Sequence, residues 1–295
     1  MLKRSAICVA KNIVASCFLK AGFRLVRIHR DGFDRLYHKH YSEEVLKKRR
    51  FYNVGAGSFY HKYWTNLDYA SNWYKDVQKQ IVNYDLMRCD PLPVETGTAE
   101  VVYTSHTIEH VTEVAVRNLF HEAYRALRSG GYFRVTTGPD ADLDYAALMR
   151  GDEDWFYWDE AYSLVGCFEH IFHQPATSVP LEERWLHHVA SQLARNNRSP
   201  SAVKFGAPEI RALLSEKNMQ DVLDHFTSFC VFNPEYPGNH ISWWNFDKIS
   251  RFLREAGFSR IYRSGYGQSF CPILRDTSLF DNTHPQMSVY VEAIR

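Results

Sequence analysis

Several things are scarce in this chain, and each absence excludes a class of protein. Its six cysteines, Cys8, Cys17, Cys89, Cys167, Cys230 and Cys271, are spread over 295 residues without one C-x-x-C pair. Such spacing excludes a disulfide framework or a zinc knuckle and reads as reduced thiols of a cytoplasmic protein. Long apolar runs are missing too: Ser5–Leu19 is interrupted by Lys11 and Asn12 and is too short to span a bilayer. The basic start is not followed by a convincing small-residue cleavage site, so a secretory leader is not expected. There are no internal repeats or low-complexity tracts. The net charge is only +1, which excludes a polycation that binds nucleic acid along its whole surface.

What is present is the material of a soluble α/β protein. Hydrophobic residues make up 45% and charged residues 23%, enough for a sizeable core in one large domain or two small ones. Charge is unevenly placed. Residues 1–50 hold 13 Lys and Arg against 4 Asp and Glu, a net of +9, which leaves −8 for the rest. A basic arm on a mildly acidic body calls for a partner, and an anionic membrane surface is the leading candidate, giving peripheral contact at the inner face of the membrane. Within the arm, residues 1–45, Ile7, Ala10, Val14, Cys17, Phe18 and Ala21 recur at helical spacing. This amphipathic helix suits packing on the body or lying on a membrane, and packing is preferred.

From residue 46 onward the pattern alternates short strands with helices. Strands are expected at Phe51–Val54, Tyr63–Asp68, Gln80–Tyr84, Glu100–Ser105 and Tyr132–Thr137. A helix is expected over Val114–Arg128, stopped by Ser129-Gly130-Gly131. The rhythm resumes with a helix at Phe246–Ala256 and strands at Phe258–Ser264 and Ser288–Ile294. Strands joined by helical crossovers imply a mostly parallel sheet covered on both faces. Residues 141–240 break the rhythm. They are rich in aromatics, histidine and proline and read as a largely helical insertion or cap.

Ligands of such sheets bind beyond the carboxyl ends of the strands, where strand order reverses. The first three strand ends are Gly55-Ala56-Gly57, Asp68 and Asp85. Glycines admit a ligand close to the backbone. Asp68 can accept from both hydroxyls of a ribose, and Asp85 from an adenine amino group with Leu86 against the ring. A dinucleotide fingerprint would need G-x-G-x-x-G. Here Tyr60 occupies the third glycine position and Asp68 follows Gly55 by only 13 residues, so a ligand without pyrophosphate fits better and a nicotinamide-dependent dehydrogenase is disfavoured.

Four runs in order, Asn53-Val-Gly-Ala-Gly-Ser, Tyr63-Trp-Thr-Asn-Leu-Asp68, Asp85-Leu with Pro91-Leu-Pro93, and Ser105-His-Thr-Ile-Glu-His110, resemble the S-adenosylmethionine-dependent methyltransferases of class I, type 11. The segment Leu119–Asp140 and the closing Ala256-Gly257-Phe258 with Ser288–Ala293 are similar as well. The likeness covers roughly residues 50–140 and 240–295, and within that family it is nearest to enzymes of bacterial surface-glycan (lipopolysaccharide) biosynthesis. It implies a Rossmann-like α/β fold with a seven-stranded sheet whose last strand is antiparallel, and it puts residues 141–240 where the family has its substrate-recognition insertion. It also implies S-adenosylmethionine as cofactor, held by Asn53, Gly55, Ala56, Gly57, Asp68, Asp85, Leu86 and Ser105.

The expected reaction is methylation of a sugar or glycan hydroxyl. Alternatives are a nitrogen or carbon acceptor, or a non-catalytic cofactor-binding partner in a glycan-assembly complex. An oxygen acceptor must lose a proton, and histidine suits that work near neutral pH. His106, just past the fourth strand, is the first candidate. Asp140 is either a base or a helix cap. His170 and His173, beside Glu169, stand three apart, and His173 is taken as a further catalytic candidate through contact with substrate. No metal site is expected, because further ligands are not evident. Glu109 and His110 are expected to cap a helix or pack on the glycine loop. The aromatic stretch Trp155–Phe172 and the pair Trp243-Trp244 suit either sugar stacking or core filling.

Overall fold

The structure is a computed structural model that describes residues 30–70, 80–157, 178–195, 197 and 199–295. Contacts divide the chain into two units, residues 1–40 and 41–295. In the first, helix α1 spans Arg30–His40 and ends on the basic residues His38, Lys39 and His40. The expected arm helix lies outside the described residues. Among the described residues no helix is long and apolar enough to cross a membrane.

The second unit opens with α2 (Glu43–Lys47), capped by Ser42. Seven strands follow: β1 (Phe51–Val54), β2 (Trp64–Asp68), β3 (Ile81–Asn83), β4 (Ala99–Ser105), β5 (Leu127–Thr137), β6 (Arg260–Arg263) and β7 (Val289–Ile294). They lie in the order β3-β2-β1-β4-β5-β7-β6. The first five pair in parallel, and β7 inserts antiparallel between β5 and β6. The expected Rossmann-like sheet with its antiparallel last strand is thus the observed one. Strand β4 is central, and Ala99 through Thr104 are all buried, as the apolar run Val101-Val102-Tyr103 requires of a strand covered on both faces. Strand order reverses at β1 and β4, so the site is expected at their carboxyl ends.

Helix α3 (Glu113–Ala126) has Thr112 as its cap and buries Val116, Leu119, Phe120 and Ala123 against the sheet. It ends two residues earlier than its sequence suggests. The Leu127 N–H closes the last turn on the Ala123 carbonyl, and Leu127 then takes extended backbone as the first residue of β5. Ser129-Gly130-Gly131 therefore does not stop the helix. It forms an irregular step in the strand where Gly130 N–H donates to Arg295 O at 2.7 Å, and pairing with β4 shifts register between Ala99 and Val101.

Residues 141–240 contribute helices α4 (Ala141–Arg150), α5 (Leu181–Ala190), α6 (Ala207–Glu216) and α7 (Met219–Thr227). These pack around a hydrophobic cluster of their own that includes Phe156, Trp185, Leu186, Ile210, Phe226 and Trp243. The last helix, α8 (Phe246–Glu255), is capped by Asn245 and ends before Gly257. Trp243 and Trp244 are 4% and 1% exposed, and their indole N–H groups donate to Asp224 and to Ser242, so both fill cores and neither offers a face to a sugar. Trp155 likewise donates to Asp144 at 2.6 Å. Trp158, Tyr162, Phe168, His170, Phe172 and His173 lie outside the described residues.

Candidate active site

A cavity of about 930 Å³ opens at the carboxyl ends of β1, β2 and β4. All eight expected cofactor residues line it: Asn53, Gly55, Ala56 and Gly57 from the β1 end, and Asp68, Asp85, Leu86 and Ser105 from the ends beside it. The two glycines do different work. A Cβ on Gly55 would stand 2.2 Å from Thr107 Oγ1, so this glycine lets the β1 and β4 loops approach each other. At Gly57, with φ +51°, a Cβ would meet nothing within 4 Å, and the residue faces open space.

Asp68 ties the second strand to this loop. Its Oδ2 accepts from Gly57 N–H at 2.7 Å and its Oδ1 from Tyr69 N–H at 2.7 Å. A carboxylate has about four lone-pair sites, so it can still accept from a diol. Asp85 caps the short turn Leu86–Arg88 by accepting from Met87 N–H at 2.9 Å, so it serves as a turn cap while lining the cavity. Asn53 Oδ1 is buried without a hydrogen-bond partner and lines the same cavity. A pocket with one unsatisfied acceptor, two carboxylates and a bare glycine fits an adenosine-bearing cation such as S-adenosylmethionine.

A second cavity, about 660 Å³, adjoins the first and shares His106, His110 and Thr283 with it. Its wall carries Ser191, Asn197, Ser199 and Asn239 along with four more histidines, at 187, 188, 240 and 284. Burial lowers His187 and His240 to about 3 and His284 to about 4, with nearby imidazoles adding to the shift, so all three are neutral at pH 7.

His106 stands where the cavities meet, but not as an open base. It has φ +48°, its Nδ1 lies 3.2 Å from Glu109 Oε1, and its Nε2 lies 2.8 Å from Ser288 Oγ. Nδ1 donates to the Glu109 carboxylate, and Nε2 pairs with the Ser288 hydroxyl, which also reaches the carbonyls of His284 and Thr283. With both nitrogens engaged, the ring is a fixed wall element. Glu109 is 2% exposed and also accepts from Thr137. Burial alone would raise its pKa, but the hydrogen bond from His106 and the fields of His110 and His106 hold it at about 2.

Glu109 and His110 do not cap a helix as expected. They sit in the turn Ile108–His110, whose residues make no side-chain cap, and it is Thr107 that packs on the glycine loop. Asp140 turns out to be a cap. Its Oδ1 accepts from Asp142 N–H at 3.1 Å at the start of α4, and the residue lines neither cavity. Burial, with Asp142 adding to it, raises its pKa to about 6. An acid whose folded pKa lies above its unfolded value binds its proton more tightly when folded, so its contribution to stability is lost as pH rises through 6. Two pKa units correspond to at most about 3 kcal/mol. Asparagine caps equally well. Asp140→Asn is therefore expected to match the wild type in urea midpoint at pH 4 and to exceed it at pH 7; equal midpoints at pH 7 would count against a strained carboxylate.

Other wall residues had no signal in sequence. Tyr60, Tyr84 and Met87 line the first cavity, and a distant loop brings Ser278, Leu279, Asn282 and Thr283 to it. That loop is anchored by Arg134, which is fully buried and bonds Asp281 at 2.5 Å and Glu292 at 3.2 Å.

Comparison with known proteins finds a family match over part of the chain. Residues 54–135 match the family model described as "Methyltransferase domain", Methyltransf_11. The match spans less than a third of the chain and covers the stretch from the glycine loop to β5. Among solved structures, an S-adenosylmethionine-dependent methyltransferase from Mesorhizobium loti is 14% identical, with a TM-score of 0.38 and coverage of 83% of this chain and 90% of that one. A possible histamine N-methyltransferase from Thermotoga maritima is 10% identical, with a TM-score of 0.36 and coverage of 90% and 95%. No curated protein matches the chain. The matched domain makes this protein an enzyme of the methyl-transferring class, with S-adenosylmethionine as its cofactor.

Proposed function

We propose that the protein transfers the methyl group of S-adenosylmethionine to a hydroxyl of a sugar or glycan, breaking the S–CH3 bond, forming an O–CH3 bond and releasing S-adenosylhomocysteine and a proton to solvent. The observation that carries this reading is the second cavity, which meets the cofactor cavity at His106 and is walled by hydroxyl, amide and imidazole groups. A polyhydroxyl acceptor can exchange part of its hydrogen bonding to water for contacts with such a wall. In this reading Asp68 holds the ribose, Asp85 and Leu86 the adenine, and Asn53 and Ser105 the remainder of the cofactor. His106 orients the acceptor at the junction and does not take its proton.

Displacement at a sulfonium relieves charge, so alignment of the two cavities matters more than charge stabilisation. Residues 46–295 then form the catalytic body, with 141–240 supplying the acceptor wall through Ser191 and Asn239. The basic arm, residues 1–45, is assigned to an anionic membrane surface on the cytoplasmic side, supported by its charge alone.

Incubation with S-adenosylmethionine and a panel of nucleotide sugars and oligosaccharides, followed by mass spectrometry, tests the reading. A methyl increment on a carbohydrate is expected. Increments confined to amine acceptors would overturn it.

A further inference from the structure

The two cavities share a wall in which three metal-ligand side chains converge. One donor atom each from Glu109, His110 and His240 lies within 4.8 Å of the other two. Backbone pairing holds the residues together, since Ile241 N–H donates to the Glu109 carbonyl at 2.9 Å and Ser242 N–H to the same oxygen at 3.3 Å. The segment carrying His240 is thereby pinned to the turn carrying the other two.

Hydrogen bonding sets both rings for coordination. His110 Nδ1 lies 3.1 Å from the Asn239 carbonyl, and His240 Nδ1 meets the His188 carbonyl. Carbonyls only accept, so each Nδ1 carries the proton and each Nε2 is left with its lone pair. An imidazole fixed through Nδ1–H to a backbone carbonyl is the usual outer support of a metal-bound histidine. The third member is equally suggestive. Glu109 is 2% exposed, with His106 Nδ1 3.2 Å from its Oε1 and the Thr137 hydroxyl donating to its Oε2. A carboxylate has about four lone-pair sites, so two engaged ones leave room for an ion.

We propose that Glu109, His110 and His240 bind one divalent transition-metal ion. Two imidazoles and a carboxylate suit zinc, cobalt or ferrous iron and do not suit magnesium or calcium, which prefer oxygen ligands alone. Metal–ligand bonds of about 2.0–2.2 Å set donors at most roughly 4.4 Å apart, so an ion would draw these side chains in by a few tenths of an ångström. His110 and His240 both line the second cavity, so the open coordination positions face it. A water or an acceptor hydroxyl would complete the shell there. That last role rests on the methyltransferase reading; the metal site itself does not.

The test is a cobalt titration of the full chain after chelator treatment. Visible absorption saturating at one Co²⁺ per chain and bleached by Zn²⁺ is expected. His110→Asn and His240→Asn should each weaken binding by more than about tenfold, the scale set even by losing an outer support of a ligand. Asp68→Ala should leave it intact, which separates this proposal from the cofactor assignment. X-ray absorption of the zinc-loaded wild type should show two imidazole nitrogens with oxygen, a readout that does not depend on the variants folding. No saturable absorption in the wild type, or full binding retained by both histidine variants, overturns the proposal.

Discussion

Replacing Arg134 with methionine should lower stability by about 3–5 kcal/mol, a drop in Tm of roughly 6–15 °C for a protein of this size. The guanidinium is fully buried on β5, with Nε and the terminal nitrogens on Asp281 at 2.5–3.1 Å and on Glu292 at 3.2 Å. It also donates to Ser264 Oγ at 2.9 Å and to the Gly265 carbonyl at 3.0 Å. Methionine fills the space but leaves two buried carboxylates without a counter-charge, which is far costlier than losing a surface pair. Asp281 belongs to the loop whose Ser278 and Thr283 wall the cavities, so loosening it should also weaken ligand binding. Removing all three charges together, as Arg134→Met, Asp281→Asn and Glu292→Gln, should recover much of the loss. Calorimetric melting of the two variants checks this, and a single variant within about 2 °C of wild type would show that the triad is not held as described.

The second large effect concerns the cofactor. Asp68→Ala should weaken S-adenosylhomocysteine binding by more than about 100-fold, because two hydrogen bonds to a charged acceptor contribute about 1.5–3 kcal/mol each. Part of the loss comes from the loop, since Asp68 also accepts from Gly57 N–H. Asp68→Asn keeps one acceptor oxygen for that contact and should fall between alanine and wild type. An alanine variant with wild-type affinity would remove Asp68 from the ribose role.

The sheet was legible because its signals are local. The apolar run of β4, the glycine loop after Val54 and the acids closing β2 and following β3 are each contained in a few residues. The end of α3 was misread because Gly130 and Gly131 look like a helix stop, while Leu127 had already turned into the strand. The walls of the second cavity were not legible, since His110, His188, His240 and His284 come from separate segments that only the tertiary fold brings together. For the same reason Arg134 read as one more strand residue, its partners lying 147 and 158 positions away. His106 was placed correctly at the strand end, but its engaged nitrogens depend on Ser288, 182 residues along the chain.

The central claim is that the cavity beyond β1, β2 and β4 holds S-adenosylmethionine. Calorimetric titration of the full chain with S-adenosylhomocysteine and, separately, with NAD tests it most directly. Saturable binding of the first and none of the second is predicted; binding of NAD in place of S-adenosylhomocysteine would contradict it.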